Sequence, residues 1–404
     1  MKSTGMNRHI NPNAIESVRP VSGRLRLQMV GAVVMTLLMV MTAPVMAQQT
    51  PAPDDPAQQA APAAAPVDAT ADESAAEAIP AVAPPAGAEA GASAVVFMYH
   101  RFGESDYPST NIRPEQLDAH MAELTRGPYH VMDVGAIVQA IANGESLPDR
   151  TIGITIDDAY RSVFDVAWPV FKKHNFPMTV FVSTEQVDTD NSTYMSWDQL
   201  RTLVAEGVTI GGHSQHHSHL ATMSITAVKA ELAHSAQRFK DELGFVPDLF
   251  AYPYGEASLD VREAVREAGY KVAFGQHSGA FDDSADLFYL PRYALNESYG
   301  TPERFLLAAN SVPMPVSDIT PADYLLQRNP PAFGFTLHGP ARDLNCYPSS
   351  GVPTMTRLGD ARVEIRLDGP VAPGRWRINC TSLGPDNRWR WFGMLYTVPE
   401  KTAQ

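Results

Sequence analysis

Cysteine is nearly absent from this chain: 404 residues contain two, Cys346 and Cys380. So few exclude a fold built on a dense disulfide framework. In an oxidising compartment an isolated pair is most simply one disulfide, which closes a loop of about 35 residues and contributes roughly 3–4 kcal/mol in the chain-entropy model. The alternative is two free buried thiols. Basic charge is also short. Thirty-one Lys and Arg face 45 Asp and Glu, a formal net charge of −14, which lacks the basic face that nucleic-acid partners require. The acidic balance suits solubility in an extracytoplasmic space. Residues 48 to about 92 contain no aromatic residue and consist almost wholly of Ala, Pro, Glu, Asp, Gly and Gln. They cannot bury enough surface to offset their ordering entropy, and are expected to form a disordered, fairly extended tether over 48–93. No internal repeat is present.

The first 47 residues read as a targeting segment. Arg24 and Arg26 precede an apolar run from Leu27 to Met46, and Val45-Met46-Ala47 has the small-x-small form that a signal peptidase accepts. At ~20 residues the run is also long enough to remain as a membrane anchor. Either way the remainder is expected outside the cytoplasm, periplasmic or secreted, with a membrane contact only through such an anchor. The stretch before the run is long, and Met6 is an alternative start.

The rest of the chain is organised around Thr151–Asp158, TIGITIDD. Ile152, Ile154 and Ile156 are β-branched and suit a packed strand, which ends in two adjacent carboxylates. Strand interiors almost never hold such a pair, because at least one would be buried unpaired. Asp157 and Asp158 therefore either face the C-terminal opening of a parallel sheet or cap the helix that begins near Ser162. Around this stretch apolar strands alternate with amphipathic helices. Val95–His100, the region of Val131, Met178–Val182, Val208–Ile210, Leu249–Tyr252, and the regions of Val272 and Tyr289 read as strands. Helices are expected from Pro114, over Val134–Ala142, from near Ser162, over Trp197–Ala205, Ser224–Leu243, Leu259–Ala268 and Pro302–Ala309. This alternation implies parallel β with crossover helices: an α/β fold, a distorted barrel of about seven strands over 94–311. Residues 312–332 are Pro-rich and read as a connector. Phe333–Leu337, Arg362–Leu367, Gly374–Cys380 and Trp389–Val398 then predict a small antiparallel β domain over 333–400, linked by Cys346–Cys380. Trp376, Trp389, Trp391 and Phe392 either stack on sugar rings there or pack its core.

A second informative stretch, Gly211–His219, follows a strand directly. His213 and His217 are four apart, so a helical turn would put both on one face, where two imidazoles can share a metal. With Asp158 they make a ligand set of two nitrogens and one oxygen with an open position, the pattern of a catalytic zinc-type site. Asp157 is then free to act as a base toward an activated water. The alternative is a polar loop that happens to be rich in histidine.

These stretches resemble the polysaccharide deacetylases of carbohydrate esterase family 4, the NodB-homology proteins, over about residues 94–300. The motif T-[FY]-D-D corresponds to Thr155-Ile156-Asp157-Asp158, H-[ST]-x-x-H to His213-Ser214-Gln215-His216-His217, and R-x-P-Y-G to Ala251-Tyr252-Pro253-Tyr254-Gly255. The resemblance implies that Asp157 is the general base, that Asp158, His213 and His217 hold a divalent metal (zinc, with cobalt or nickel as alternatives), and that the Tyr254 N–H helps to bind the acetyl oxygen. Three departures stand out. Isoleucine replaces an aromatic at 156, alanine at 251 replaces the arginine that orients the base, and no late Leu-x-His-Asp motif supplies an acid. The Phe-Ala-Tyr-Pro-Tyr-Gly form and the early Tyr99-His100 are similar to the subgroup of biofilm poly-N-acetylglucosamine deacetylases, in which an early histidine serves as the acid. His100 is accordingly the candidate acid, and Arg292 the candidate replacement for the missing arginine. His338 mimics the absent late motif but lies inside the β-domain pattern, and His216 and His219 read as polar loop or supporting residues.

The implied reaction is hydrolysis of N-acetyl groups on an N-acetylglucosamine-containing polysaccharide or oligosaccharide. The alternatives are another amide or an O-acetyl ester on the same site, or an inactive glycan-binding scaffold.

Overall fold

Ile152, Ile154 and Ile156 form the fully buried middle of the strand Thr151–Asp157, the third in a curled sheet of parallel strands. The computed structural model describes residues 92–400 except 190, 342 and 385. The expected targeting segment 1–47 and nearly all of the expected tether lie outside the described residues. Among these, no helix is long and apolar enough to cross a membrane.

Along the sheet the order is Ala280–Asp282, Ser93–Tyr99, Thr151–Asp157, Thr179–Val182, Thr209–Gly212, Leu249–Ala251 and Val272–Phe274. Every neighbouring pair is parallel except the first. Parallel neighbours need crossovers, here supplied by helices such as Val134–Ala142, Trp197–Ala205 and Leu259–Glu267. Each begins on a side-chain cap, with Asp133, Ser196 and Ser258 accepting the first free backbone N–H groups. The helix expected from Ser162 opens instead with a π-helical turn, Val163–Ala167, before Trp168–Lys173. Pro169 sits in the first turn of the latter and lacks an N–H for regular bonding.

The two ends of the sheet are brought together by one segment. Leu290 bridges Phe274 of the last strand, and Tyr293–Ala294 pairs in parallel with Phe97–Met98 of Ser93–Tyr99, near the other end. The strand expected near Tyr289 therefore begins only at Tyr293.

Past residue 311 there are two four-stranded sheets. One has the order Val312–Pro313, Trp389–Val398, Gly374–Leu383, Asn345–Pro348. The other runs Val316–Thr320, Phe333–Leu337, Arg362–Leu367, Pro353–Leu358. The supposed connector thus contributes two strands, and two more strands join the four expected. Trp376 and Trp391 are buried, at 1% and 6% exposure, so sugar stacking by these two rings is ruled out. Trp391 belongs to the barrel core, edge-on to Tyr293, and Trp376 to the core between the C-terminal sheets, where Phe333 stands edge-on to it and to Tyr396. This core is continuous with barrel residues Phe250, Tyr252 and Val265. Cys346 and Cys380 face each other across paired strands and form the disulfide, with S–S 2.01 Å.

Candidate active site

The site gathers where four strands end. Tyr99 lies opposite Ile156 in the sheet register, so His100 follows one strand beside the place where Asp157 closes the next. Val182 pairs with Gly212, and Gly212 with Phe250, which carries His213 and the 252–255 turn to the same rim. The backbone there is unusual. Ten non-glycine residues have positive φ among the described residues, and five of them are Asp158, Ala159, Ser214, His217 and Tyr254. Left-handed backbone costs a non-glycine residue of order 1–3 kcal/mol and persists where surroundings over-determine it, as functional sites do.

The two aspartates take different partners. Asp157 is fully buried, and Arg292 grips it with a fork: Nη1 donates to Oδ1 at 2.7 Å and Nη2 to Oδ2 at 2.8 Å. Arg292 is itself fully buried and is fixed by bonds to the Gly275 carbonyl (3.0 Å) and Thr155 Oγ1 (3.1 Å). Burial alone would raise the Asp157 carboxyl. The positive charge of Arg292 and the nearby His213 outweigh it, and the group is held below the usual carboxylate range. Ala251, where an arginine was missed, contributes its backbone instead, since its carbonyl accepts from His213 Nδ1 at 2.7 Å. That bond fixes the tautomer and leaves the Nε2 lone pair free.

Asp158 Oδ1 lies 3.4 Å from His213 Nε2 and 3.2 Å from His217 Nε2. Neither Asp158 Oδ1 nor His213 Nε2 has a hydrogen-bond partner, although both are buried, an arrangement proteins rarely tolerate. The three side chains are the group of described residues able to hold a metal ion. A tetrahedral ion with bonds of ~2.0–2.1 Å sets its ligands about 3.4 Å apart, so the spacing and the donor set both fit a divalent cation. Burial would raise Asp158, but the two histidines hold it well below the usual range, so it is ionised, as a ligand must be. The histidines converge through a tight loop, not the expected helical turn. Ser214 and His217 are left-handed, and the His217 N–H donates to Ser214 Oγ at 3.0 Å.

His100 is buried at the same rim. Desolvation lowers its imidazole pKa, against the opposing pull of Asp158 and Asp157. Tyr254 sits in the turn Pro253–Gly255 with φ +58°. Its ring stands edge-on to His217, with centroids 4.4 Å apart, and stacks flat on His219 at 4.0 Å. Gly255 follows at φ +72°, where a Cβ would collide with Gln276. His219 and His216 stay outside the ligand set: Nδ1 of the first lies 2.8 Å from buried Glu256 and that of the second 2.5 Å from Glu231. His338 is exposed, against Ser317 in the C-terminal sheets, and takes no part.

The sequence reading missed the aromatic wall on the other side. Tyr160 and Tyr194 stack at 5.1 Å, and the Arg101 guanidinium lies between Tyr160 (3.5 Å) and Tyr107 (3.9 Å). Burial raises Tyr160, Tyr194 and Tyr254, and in all three the charge of Asp158 adds to it, so all three are close to that carboxylate. Position beside the acid pair is the one local signal for Tyr160. Nothing local marks Tyr194.

Residues 144–273 match the family model described as polysaccharide deacetylase. YxkH of Bacillus subtilis (strain 168), provisionally named a polysaccharide deacetylase, is 21% identical over 201 residues, 50% of this chain and 71% of the relative. The poly-beta-1,6-N-acetyl-D-glucosamine N-deacetylase of Staphylococcus aureus (strain MRSA252) is 24% identical over 37% of this chain, a match that spans only 56% of that enzyme. Among solved structures, the Streptococcus pyogenes deacetylase PplD in complex with acetate shares the fold, with a TM-score of 0.51 and 19% identity, over 54% of this chain and 99% of that one. Residues 144–273 thus match a polysaccharide deacetylase domain, in keeping with the motifs of the NodB-homology group that the sequence resembles.

Proposed function

We propose that this protein is a metal-dependent hydrolase that removes N-acetyl groups from an N-acetylglucosamine-containing polysaccharide, and that it works outside the cytoplasm. The observation that carries the reading is the pairing of two unlike half-sites. A carboxylate oriented by a buried arginine lies beside three convergent donors that fit a divalent cation. The relatives named above support the substrate class. The Cys346–Cys380 disulfide supports the compartment, as does the apolar run after Arg26.

Asp158, His213 and His217 would hold the cation, zinc or else cobalt or nickel, which when bound supplies Lewis acidity and lowers the pKa of water. The rest falls to the chain's own groups. Asp157 accepts the proton of the attacking water, and Arg292 keeps both its oxygens in place and ionised. The Tyr254 N–H donates to the acetyl oxygen as negative charge develops there. His100 gives a proton to the leaving nitrogen, so that water is added across the C–N bond to yield acetate and a free amine. Strand ends and locked rotamers hold these groups in position, as the chemistry requires.

The test is acetate release by the full chain, metal-free and then with zinc, cobalt or nickel, on β-1,6- and β-1,4-linked N-acetylglucosamine oligomers and on an O-acetylated glycan. Metal-dependent release from the N-acetylated oligomers is the expected result. Release from the O-acetylated glycan alone would make the protein an esterase. Glycan binding without turnover under any metal would make it a scaffold.

A further inference from the structure

Two consecutive carbonyls of the 252–255 turn are held from beyond the turn, the first of them by the C-terminal sheets. The Tyr254 carbonyl accepts from Arg375 Nη1 at 3.3 Å, and the Arg375 guanidinium carbon lies 5.6 Å from the centre of the Tyr254 ring. Arg375 is the second residue of the strand Gly374–Leu383, paired with Thr397 of Trp389–Val398, so the C-terminal sheets fix its position. The next carbonyl, that of Gly255, accepts from the Tyr289 hydroxyl at 2.9 Å. The same hydroxyl reaches the Leu395 carbonyl in the C-terminal sheets at 3.1 Å. Tyr289 is wedged in place between His277, stacked at 4.6 Å, and Tyr324 of the C-terminal region, stacked at 3.9 Å.

The physical need for such a clamp is plain. Tyr254 is left-handed, and so is Gly255. An unfavourable tyrosine conformation relaxes unless neighbours hold it. Bonds within the turn, such as Gly255 N–H to the Tyr252 carbonyl at 2.8 Å, close it locally but leave the Tyr254 carbonyl free to swing. The Tyr254 N–H shares its peptide plane with the Pro253 carbonyl, which accepts from the Glu256 N–H at 3.1 Å; holding the next plane at the Tyr254 carbonyl, and the ring between the two, locks the left-handed hinge that joins them and so supports the direction of that N–H.

We infer that the C-terminal sheets are part of the catalytic apparatus, with Arg375 as a positioning residue that aims the Tyr254 N–H at the acetyl oxygen. The inference rests on the deacetylase reading above. It assigns these sheets a function within the barrel's own site: they hold one of its donors in place.

The experiment compares the full chain with Arg375→Ala and Arg375→Lys, using a soluble β-1,6-linked N-acetylglucosamine oligomer and zinc. Three quantities are read: kcat and KM, zinc affinity, and amide hydrogen exchange in residues 252–256. One well-placed oxyanion donor is worth about 10²–10³ in kcat, and Arg375→Ala misaims it without deleting it. A fall in kcat of about 10- to 100-fold is expected, with KM and zinc affinity within about twofold and faster exchange in the turn. Arg375→Lys should recover part of kcat, since an ammonium can donate to the same carbonyl. An active wild type with kcat and exchange unchanged in Arg375→Ala would overturn the inference. So would a kcat loss matched by lost zinc affinity, or a lysine variant as impaired as the alanine. If the wild type releases no acetate, the deacetylase reading fails by itself. Exchange in the turn then decides whether Arg375 clamps it, and unchanged exchange overturns the clamp as well.

Discussion

Asp157 and Asp158 are adjacent, both buried, and in opposite situations. The inner half of the site is complete within the protein, because both Asp157 oxygens are taken by Arg292. The outer half is incomplete: Asp158 Oδ1 and His213 Nε2 are buried without hydrogen-bond partners. Burying an ionised group uncompensated costs several kcal/mol, so a fold keeps such atoms only where something else satisfies them. The difference separates the two roles more sharply than the motif does. On the proposed reading, the carboxylate already satisfied by the chain is the one oriented for proton transfer, and the one left open is the ligand.

The largest expected effect comes from breaking the open half. His213→Ala removes one of three donors. Zinc content and acetate release should both fall to background, and stoichiometric zinc in this variant would show that the outer half is misassigned. The next sharpens the contrast by altering only the inner half. Asp157→Asn should keep zinc at one per chain while turnover drops about 10²- to 10⁴-fold, the usual worth of a general base. Near-normal activity there would dismiss Asp157 as the base.

Arg292 links the halves to stability. Arg292→Met leaves Asp157 buried and unpaired, a loss of about 3–5 kcal/mol, measurable by urea unfolding of the metal-free protein. The same change in an Asp157→Asn background should cost clearly less, because the stranded charge is gone. Equal costs in both backgrounds would mean that the fork contributes packing alone. The smallest effect is expected at His219, which stacks on Tyr254 but binds nothing in the ligand set. His219→Ala should cost about 0.5–1.5 kcal/mol in kcat/KM, the worth of an aromatic pair, with zinc affinity intact.

How much of this was legible depended on whether the information was local. The alternation of apolar strands and capped helices is local, and Val134–Ala142 and Pro302–Ala309 form helices over the residues expected. Asp157, Asp158, His213 and His217 were visible because each pair lies within five residues at a strand end. Arg292 was reachable only through an absence: alanine at 251 left a base without its arginine, and the search for another led along the chain. Tyr194 and Arg375 had no such pointer, because their places at the rim come from packing of distant segments. The strand Pro353–Leu358 escaped notice because all six of its residues are exposed, so no alternation marks it. Val316–Thr320 was hidden among prolines that read as connector. The helical spacing of His213 and His217 pointed to a pair that the structure does bring together, but through a loop that turns on left-handed residues and not through a helical turn.

Arg292 reaches Asp157 across 135 positions of sequence, from the stretch that joins the two edges of the curled sheet. A ribosome delivers the carboxylate long before its counter-charge. A chain cut short before 292 would carry every signature motif and still lack the arginine that grips Asp157. The stave that joins the two edges of the barrel is therefore the one that completes the site.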